Sequence, residues 1–277
     1  MPDILRMFSY PFMARAFAAG VAVALASSLL GVSLVLKRYS MIGDGLSHVS
    51  FGCLAIAAAL NWSPLAVSLP VVTASAFLLL RLNESKRVYG DAAIALISTA
   101  SLAVGVIVVS LTTGMNVDVY NYMFGSILSI TQTDMILSIV IAVIVCGVFA
   151  LLFHRIFVVT FDEPFSKATG LNTDVYNTLF ALLTAVTIVV GMRLVGALLI
   201  SGIIIFPPLA AMRVAKTFRK ATVLSAIISV ICFFAGLTMS FALNLPAGAS
   251  VVALNAAVFI IMFAAGLISS AVMKRKV

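Results

Sequence analysis

Apolar runs of about 17–25 residues recur along almost the whole chain, each long enough to cross a hydrocarbon core of about 30 Å as a helix. Lipid offers no hydrogen-bond partner to a peptide group, so such a run must satisfy its own backbone, which a helix does within a single segment. A closed barrel would instead need segments of about 10 residues with alternating polarity; the sequence shows no such pattern. The expected fold class is therefore all-α: a polytopic membrane protein that has the lipid bilayer as its solvent. Composition agrees, since 63% of the 277 residues are hydrophobic and 9% are charged, whereas about a quarter of a globular chain is normally charged.

Reading the runs between charged or Gly/Pro-bearing breaks predicts spans near 14–36, 41–60, 64–80, 92–111, 135–153, 175–191, 196–212, 221–243 and 250–272. The least secure boundary lies at Gly191-Met192-Arg193-Leu194-Val195-Gly196, where two short crossings share a turn. Eight crossings with a tilted or re-entrant piece fit nearly as well as nine. The first run, Ala14 to Leu36, exceeds the 7–15 residues of a signal-peptide core and ends at Lys37-Arg38, so it reads as a retained span. No soluble domain or long linker interrupts the pattern, and residues 1–277 are expected to form one membrane domain.

The net charge of +8 resides in loops. Of the 17 Lys and Arg residues, 14 fall in five places: Lys37 and Arg38; Arg81, Lys86 and Arg87; Arg155 and Lys167; Arg213, Lys216, Arg219 and Lys220; and Lys274, Arg275 and Lys276. The connections around Asn61-Trp62-Ser63, Thr112 to Thr133 and Asn244 to Ala249 carry none. By the positive-inside rule the basic places are cytoplasmic and the bare loops face outward. Nine crossings then put the C-terminus inside and the N-terminus outside. The basic charge is topological, and nucleic acid is not an expected partner.

Two stretches depart from plain spans. Residues Val119-Tyr120-Asn121-Tyr122-Met123-Phe124-Gly125-Ser126-Ile127-Leu128 are amphipathic and suit a short helix that either caps the interface or dips into the protein. Phe206-Pro207-Pro208 follows Ser201-Gly202 in the seventh span. Proline there frees backbone carbonyls and kinks a helix, and such a break can line a permeation path, although Pro and Gly are common in spans generally.

Chemistry is sparse. Cys53, Cys146 and Cys232 lie singly in separate apolar stretches and read as small core residues rather than a disulfide framework or thiolate metal site. There is no Gly-x-x-x-x-Gly-Lys-Ser/Thr phosphate loop and no His-Glu-x-x-His. His154, beside Arg155 at the end of the fifth span, reads as an interfacial residue with its polar tip toward water. Ile42-Gly43-Asp44-Gly45-Leu46-Ser47-His48 remains. Asp44 and His48 stand one helical turn apart, on one face and about 5–6 Å apart at Cβ. Ionisable groups in a span are costly and mark a functional site by default. Two readings stay open: His48 bonding a neighbouring helix while Asp44 caps a helix start, or the two sharing a divalent metal ion. Zinc takes four ligands from N, O and S. One helix supplies two, so a two-fold homodimer would supply the rest; the same set with waters could hold manganese or iron.

The longest inner loop reads Phe161-Asp162-Glu163-Pro164-Phe165-Ser166-Lys167-Ala168-Thr169-Gly170-Leu171. Acidic residues and proline at the start, helix formers next and Gly170 at the end are start and stop signals for a short helix. It reads either as a docking peg parallel to the membrane or as a solvated connection.

Together these segments resemble the permease subunits of ATP-binding-cassette (ABC) importers for zinc, manganese and iron. The likeness runs in order from Pro11-Phe12-Met13-Ala14-Arg15-Ala16 through Gly43-Asp44-Gly45-Leu46-Ser47-His48, Tyr122-Met123-Phe124-Gly125-Ser126, Asp162 to Gly170, Val195-Gly196-Ala197-Leu198-Leu199 and Pro207-Pro208 to Leu245-Pro246-Ala247-Gly248-Ala249. It departs after the motif histidine, where the family often has Ala and soon a Pro but this chain has Val49-Ser50-Phe51-Gly52. The resemblance implies a homodimeric permease of the bacterial cell membrane, served by a separate cytoplasmic ABC ATPase and an extracytoplasmic metal-binding protein. It implies that Asp44 and His48 lie on the metal path. It also implies that the 162–170 helix, with Asp162, Glu163, Pro164, Phe165, Lys167 and Gly170, couples to the ATPase. No permanently bound cofactor is expected; Zn2+ or Mn2+ is the cargo, zinc favoured, and the chain itself is not an enzyme. The alternative is a self-sufficient proton-coupled secondary metal transporter using Asp44 or Asp91.

Overall fold

The computed structural model describes residues 7, 9–84, 90–112, 125 and 130–274. Eleven helices are described: α1 (Pro11–Leu36), α2 (Ile42–Ala59), α3 (Pro64–Glu84), α4 (Gly90–Leu111), α5 (Gln132–Leu151), α6 (Phe153–Phe161), α7 (Glu163–Ala168), α8 (Thr173–Val195), α9 (Ala197–Val214), α10 (Phe218–Leu243) and α11 (Ala247–Lys274). Among the described residues nine helices are long and apolar enough to cross a membrane, all but α6 and α7. Each overlaps an expected span, and residues 173–214 form two full helices, α8 and α9, in place of one crossing and a re-entrant piece. The amphipathic stretch expected over 119–128 lies outside the described residues, apart from Gly125.

Local chemistry sets the helix ends. Thr131 and Asp134 form a reciprocal capping box at the start of α5, and Thr217 Oγ1 accepts from the Lys220 amide at the start of α10. The α8–α9 junction turns on Gly196 at φ 86°, ψ 161°, a conformation essentially reserved for glycine. Two full helices can therefore meet there without a loop. Pro207 and Pro208 are buried inside α9. The Ile204 carbonyl, four residues before Pro208, lies against Gly31 of α1, where an added Cβ would come within 2.2 Å of that oxygen. The double proline thus sits in a packing seam.

Helices α1, α2, α8 and α9 form the interior, burying 61–72% of their most apolar 18-residue stretch, against 22–33% for α3, α4, α5 and α11. Contacts between helix ends separate the two sides of the bundle. On the basic side Lys37 at the end of α1 meets Asn177 near the start of α8. On the bare side Arg193 near the end of α8 meets Asp134 at the start of α5, and Gly125 lies against the Val195 backbone.

One element was not expected. Residues 155–161 read as loop, but α6 continues almost directly from α5. Phe153, Phe157 and Phe161, spaced by four, gather around Phe218 of α10 with ring centroids 5.2, 5.3 and 6.1 Å away, while Ile156 and Val159 are buried. That four-residue aromatic spacing was the available signal, and aromatic packing of this kind fixes the approach to α7.

Candidate metal site

Helix α2 owes its placement to the residues flanking Asp44. A Cβ on Gly43 would lie 3.0 Å from Ile204 of α9, and one on Gly45 would lie 2.7 Å from Ile94 of α4. Successive residues are about 100° apart around a helix, so Asp44 falls between two packing faces and is directed away from both. A third contact holds the register: Ser47 Oγ lies 3.5 Å from Ser201 Oγ of α9 and donates to the Asp44 carbonyl at 2.7 Å. The run beyond His48, where the family often has a proline and this chain has none, stays helical to Ala59.

The outcome is a half-open patch of Asp44 and His48, next to exposed Met41, on a helix whose other residues are buried as far as Ala55. Asp44 Oδ2 and His48 Nε2 are 3.6 Å apart, with side chains 42% and 20% exposed. That separation is too long for a direct hydrogen bond. It suits a bridging ion: metal–ligand distances of about 2.0–2.2 Å at a tetrahedral angle place two ligands about 3.4 Å apart. Among the described residues no group of three or more His, Cys, Asp or Glu side chains assembles. One chain thus brings two donors to this patch.

The other expected residues lie elsewhere. His154 is exposed and meets the edge of the Phe153 ring. Asp91, the second carboxylate considered for proton coupling, is exposed at the start of α4. Cys53 and Cys232 are buried and Cys146 partly so, all as free thiols.

The 162–170 stretch contains the short helix α7. Asp162 Oδ1 accepts from the Phe165 amide at 2.9 Å, capping its start. Pro164 occupies its first turn, and Gly170 closes it at φ 83°. Phe165 is 57% exposed, an apolar side chain held out on a short rigid element. Glu163 turns inward instead. Its carboxylate lies 3.1 Å from Lys167 Nζ, accepts from Asn177 Nδ2 at 3.2 Å and stands 3.8 Å from Lys37 Nζ. Burial pushes the Glu163 carboxyl up, but Lys167, Lys37 and the Asn177 amide together hold it below the usual glutamate range. Asn177 was not singled out in the sequence, and Lys37 was read only as a topological charge.

A zinc uptake protein and a manganese transport protein are among the similar chains. The high-affinity zinc uptake system membrane protein ZnuB of Buchnera aphidicola is 31% identical over 235 residues, covering 84% of this chain and 90% of its own. The manganese transport system membrane protein MntC of Listeria monocytogenes is 28% identical over 257 residues, covering 93% and 91%. The ABC 3 transport family matches residues 9–266. The chain belongs to that family. Its fold is shared with the solved structure of PsaBC from Streptococcus pneumoniae in complex with Fab, with a TM-score of 0.84, 24% identity and 95% of each chain covered. This ABC 3 protein is therefore a multi-pass permease subunit of a metal ABC transporter rather than an enzyme. ABC membership sets aside the self-sufficient proton-coupled carrier.

Proposed function

We propose that this chain is the permease of a bacterial plasma-membrane importer for a divalent transition metal, zinc in preference to manganese, with Asp44 and His48 as the transient ligands. One observation carries the reading: a carboxylate and an imidazole 3.6 Å apart on the half-open patch of a buried helix. Two copies related by a two-fold axis would present two carboxylates and two imidazoles, the four N and O donors that zinc takes. The likeness to ZnuB supports zinc, and the likeness to MntC makes manganese the competitor to measure. Partial exposure suits transport, since an ion held by a closed cage would not be released.

In the same reading residues 1–277 act as one permease unit with the basic side and C-terminus in the cytoplasm. An extracytoplasmic metal-binding protein docks on the bare side. A cytoplasmic ABC ATPase engages residues 162–170, with Phe165 as its apolar contact and Asp162, Glu163, Pro164, Lys167 and Gly170 shaping the element. The test is uptake of radioactive zinc and manganese by cells carrying the permease with its ATPase and binding protein, comparing wild type with Asp44→Ala and His48→Ala at equal expression. Zinc uptake is expected to fall at least about tenfold in both variants, as losses at a metal ligand shell do. Uptake untouched by both substitutions would make the pair structural.

A further inference from the structure

On the basic side the end of α1 meets α7 and the start of α8 at one carboxylate. Lys37, the residue after α1, donates to Asn177 Oδ1 of α8, a contact spanning 140 positions. The Asn177 amide donates to Glu163 of α7, and Lys37 is itself 3.8 Å from Glu163. Lys167 adds a second tie, 3.1 Å from Glu163 and 3.9 Å from Asp174 of α8. The Lys37 side chain is only 14% exposed, and Asn177 is 6% exposed. Partners at such depth hold their geometry, since leaving either unpaired carries a desolvation cost.

The connection from Lys37 to α2 is short and internally bonded. The Lys37 and Arg38 amides donate to Ser33 and Val35, the Tyr39 amide donates to Leu34, and the Ile42 amide donates to Tyr39, all at 2.8–3.1 Å. Arg38 turns the chain at φ 63°. Displacing Lys37 therefore displaces Ile42, and Asp44 follows two residues later, about 3 Å along the helix. Beside this turn lies a cavity of about 20 Å³, lined among others by Leu34, Lys37, Ile42, Leu46, Leu80 and Asn177. It has room for about one water, so side chains do not fill this flank of the turn.

We infer that Lys37 and Asn177 are positioning residues that transmit displacement of the Glu163–Ala168 helix to the α1–α2 turn, and so to Asp44 and His48. This rests on the metal-import reading above. A network that merely stapled the fold would affect stability and ATPase activity together; a transmitting network sets how much metal moves per ATP.

The experiment uses the complete transporter, permease and ATPase co-purified and reconstituted in vesicles with the binding protein. ATP hydrolysis and uptake of radioactive zinc or manganese are recorded in the same preparation. Lys37→Met and Asn177→Leu are expected to retain the ATPase on purification and leave basal hydrolysis unchanged, while metal transported per ATP falls about tenfold, within the usual range of coupling between sites. Lys37→Arg, which keeps a cation that can reach Glu163, is expected to recover most of the ratio. An unchanged ratio in both variants overturns the inference, as does a loss of uptake matched by an equal loss of hydrolysis. If either variant fails to assemble, the milder Lys37→Gln and Asn177→Ala decide by the same two readouts: a lowered ratio at unchanged hydrolysis supports the inference, and an unchanged ratio overturns it. Asp44→Ala runs alongside. If it transports normally, the metal-site reading fails; if it is dead while Lys37→Met remains fully coupled, only the transmission inference fails.

Discussion

Helices α2 and α4 pack against each other, yet the more apolar of the two, α4, is the one facing outward: α2 buries 72% of its most apolar stretch and α4 22%. In water that order would be reversed. Lipid tails are as apolar as leucine, so burying α4 gains little, and the interior goes to helices whose small or hydrogen-bonding residues permit close contact. Helix α2 brings Gly43, Gly45 and Ser47 to its neighbours. Helix α4 turns Leu96, Ile107 and Leu111 outward. The ionisable pair accordingly sits on the helix whose flanks are occupied by protein, which sets the direction in which Asp44 and His48 face.

This contrast is open to challenge, most severely at the inner seams. Gly31→Leu would drive a side chain into the Ile204 carbonyl, which backbone cannot vacate cheaply, and is expected to cost about 3 kcal/mol. Leu96→Ala on the outer face of α4 should stay within about 0.5 kcal/mol. Thermal unfolding of the purified permease in detergent compares the two, and equal melting temperatures would erase the inner–outer distinction.

A milder effect is expected where the two classes join. Arg193 of inner α8 lies 3.5 Å from the largely buried Asp134 of outer α5, and Thr131 still bonds that carboxylate when the arginine is gone. Because Arg193 is partly exposed, Arg193→Met should cost about 1 kcal/mol. The same melting assay reads it, and no shift would mean that the bare-side ends are fixed without the pair.

The smallest effect sharpens the comparison most. A double-mutant cycle on Ser47→Ala and Ser201→Ala should give a coupling of about 0.6 kcal/mol, typical of interhelical polar contacts in membranes. Ser110→Ala on α4, whose hydroxyl bonds only its own helix at Val106, should be neutral. Coupling of zero would leave the α2–α9 register to glycine packing alone.

Much of the fold was legible in advance because its causes are local. Gly196 and the Asp162–Gly170 signals marked helix ends that the structure contains, whereas the Thr131 cap, inside a stretch read as connection, was not foreseen. The aromatic helix α6 was overlooked because a nine-residue element is too short for the span criterion, and its purpose, packing on Phe218, lies sixty residues away. Around the candidate site, spacing alone placed Asp44 and His48 on one face. The reason for glycine on both sides of Asp44 became visible only with Ile204 and Ile94 in place. Lys37 looked like one more topological charge until Asn177 and Glu163 stood beside it.

The sequence by itself determined that the chain is a series of membrane-length helices, their two-sided charge pattern and the shared face of Asp44 and His48. Each follows from a rule that acts within one segment: backbone groups must be satisfied in lipid, charge stays out of it, and a helix repeats every 3.6 residues. Only the tertiary structure decided which helices are interior, that Asp44 and His48 stand 3.6 Å apart on a half-open patch, and that Lys37 reaches Glu163. Hydropathy cannot decide these, because protein interior and lipid are alike apolar; the choice between them is made by shape and by polar contacts between residues distant in the chain.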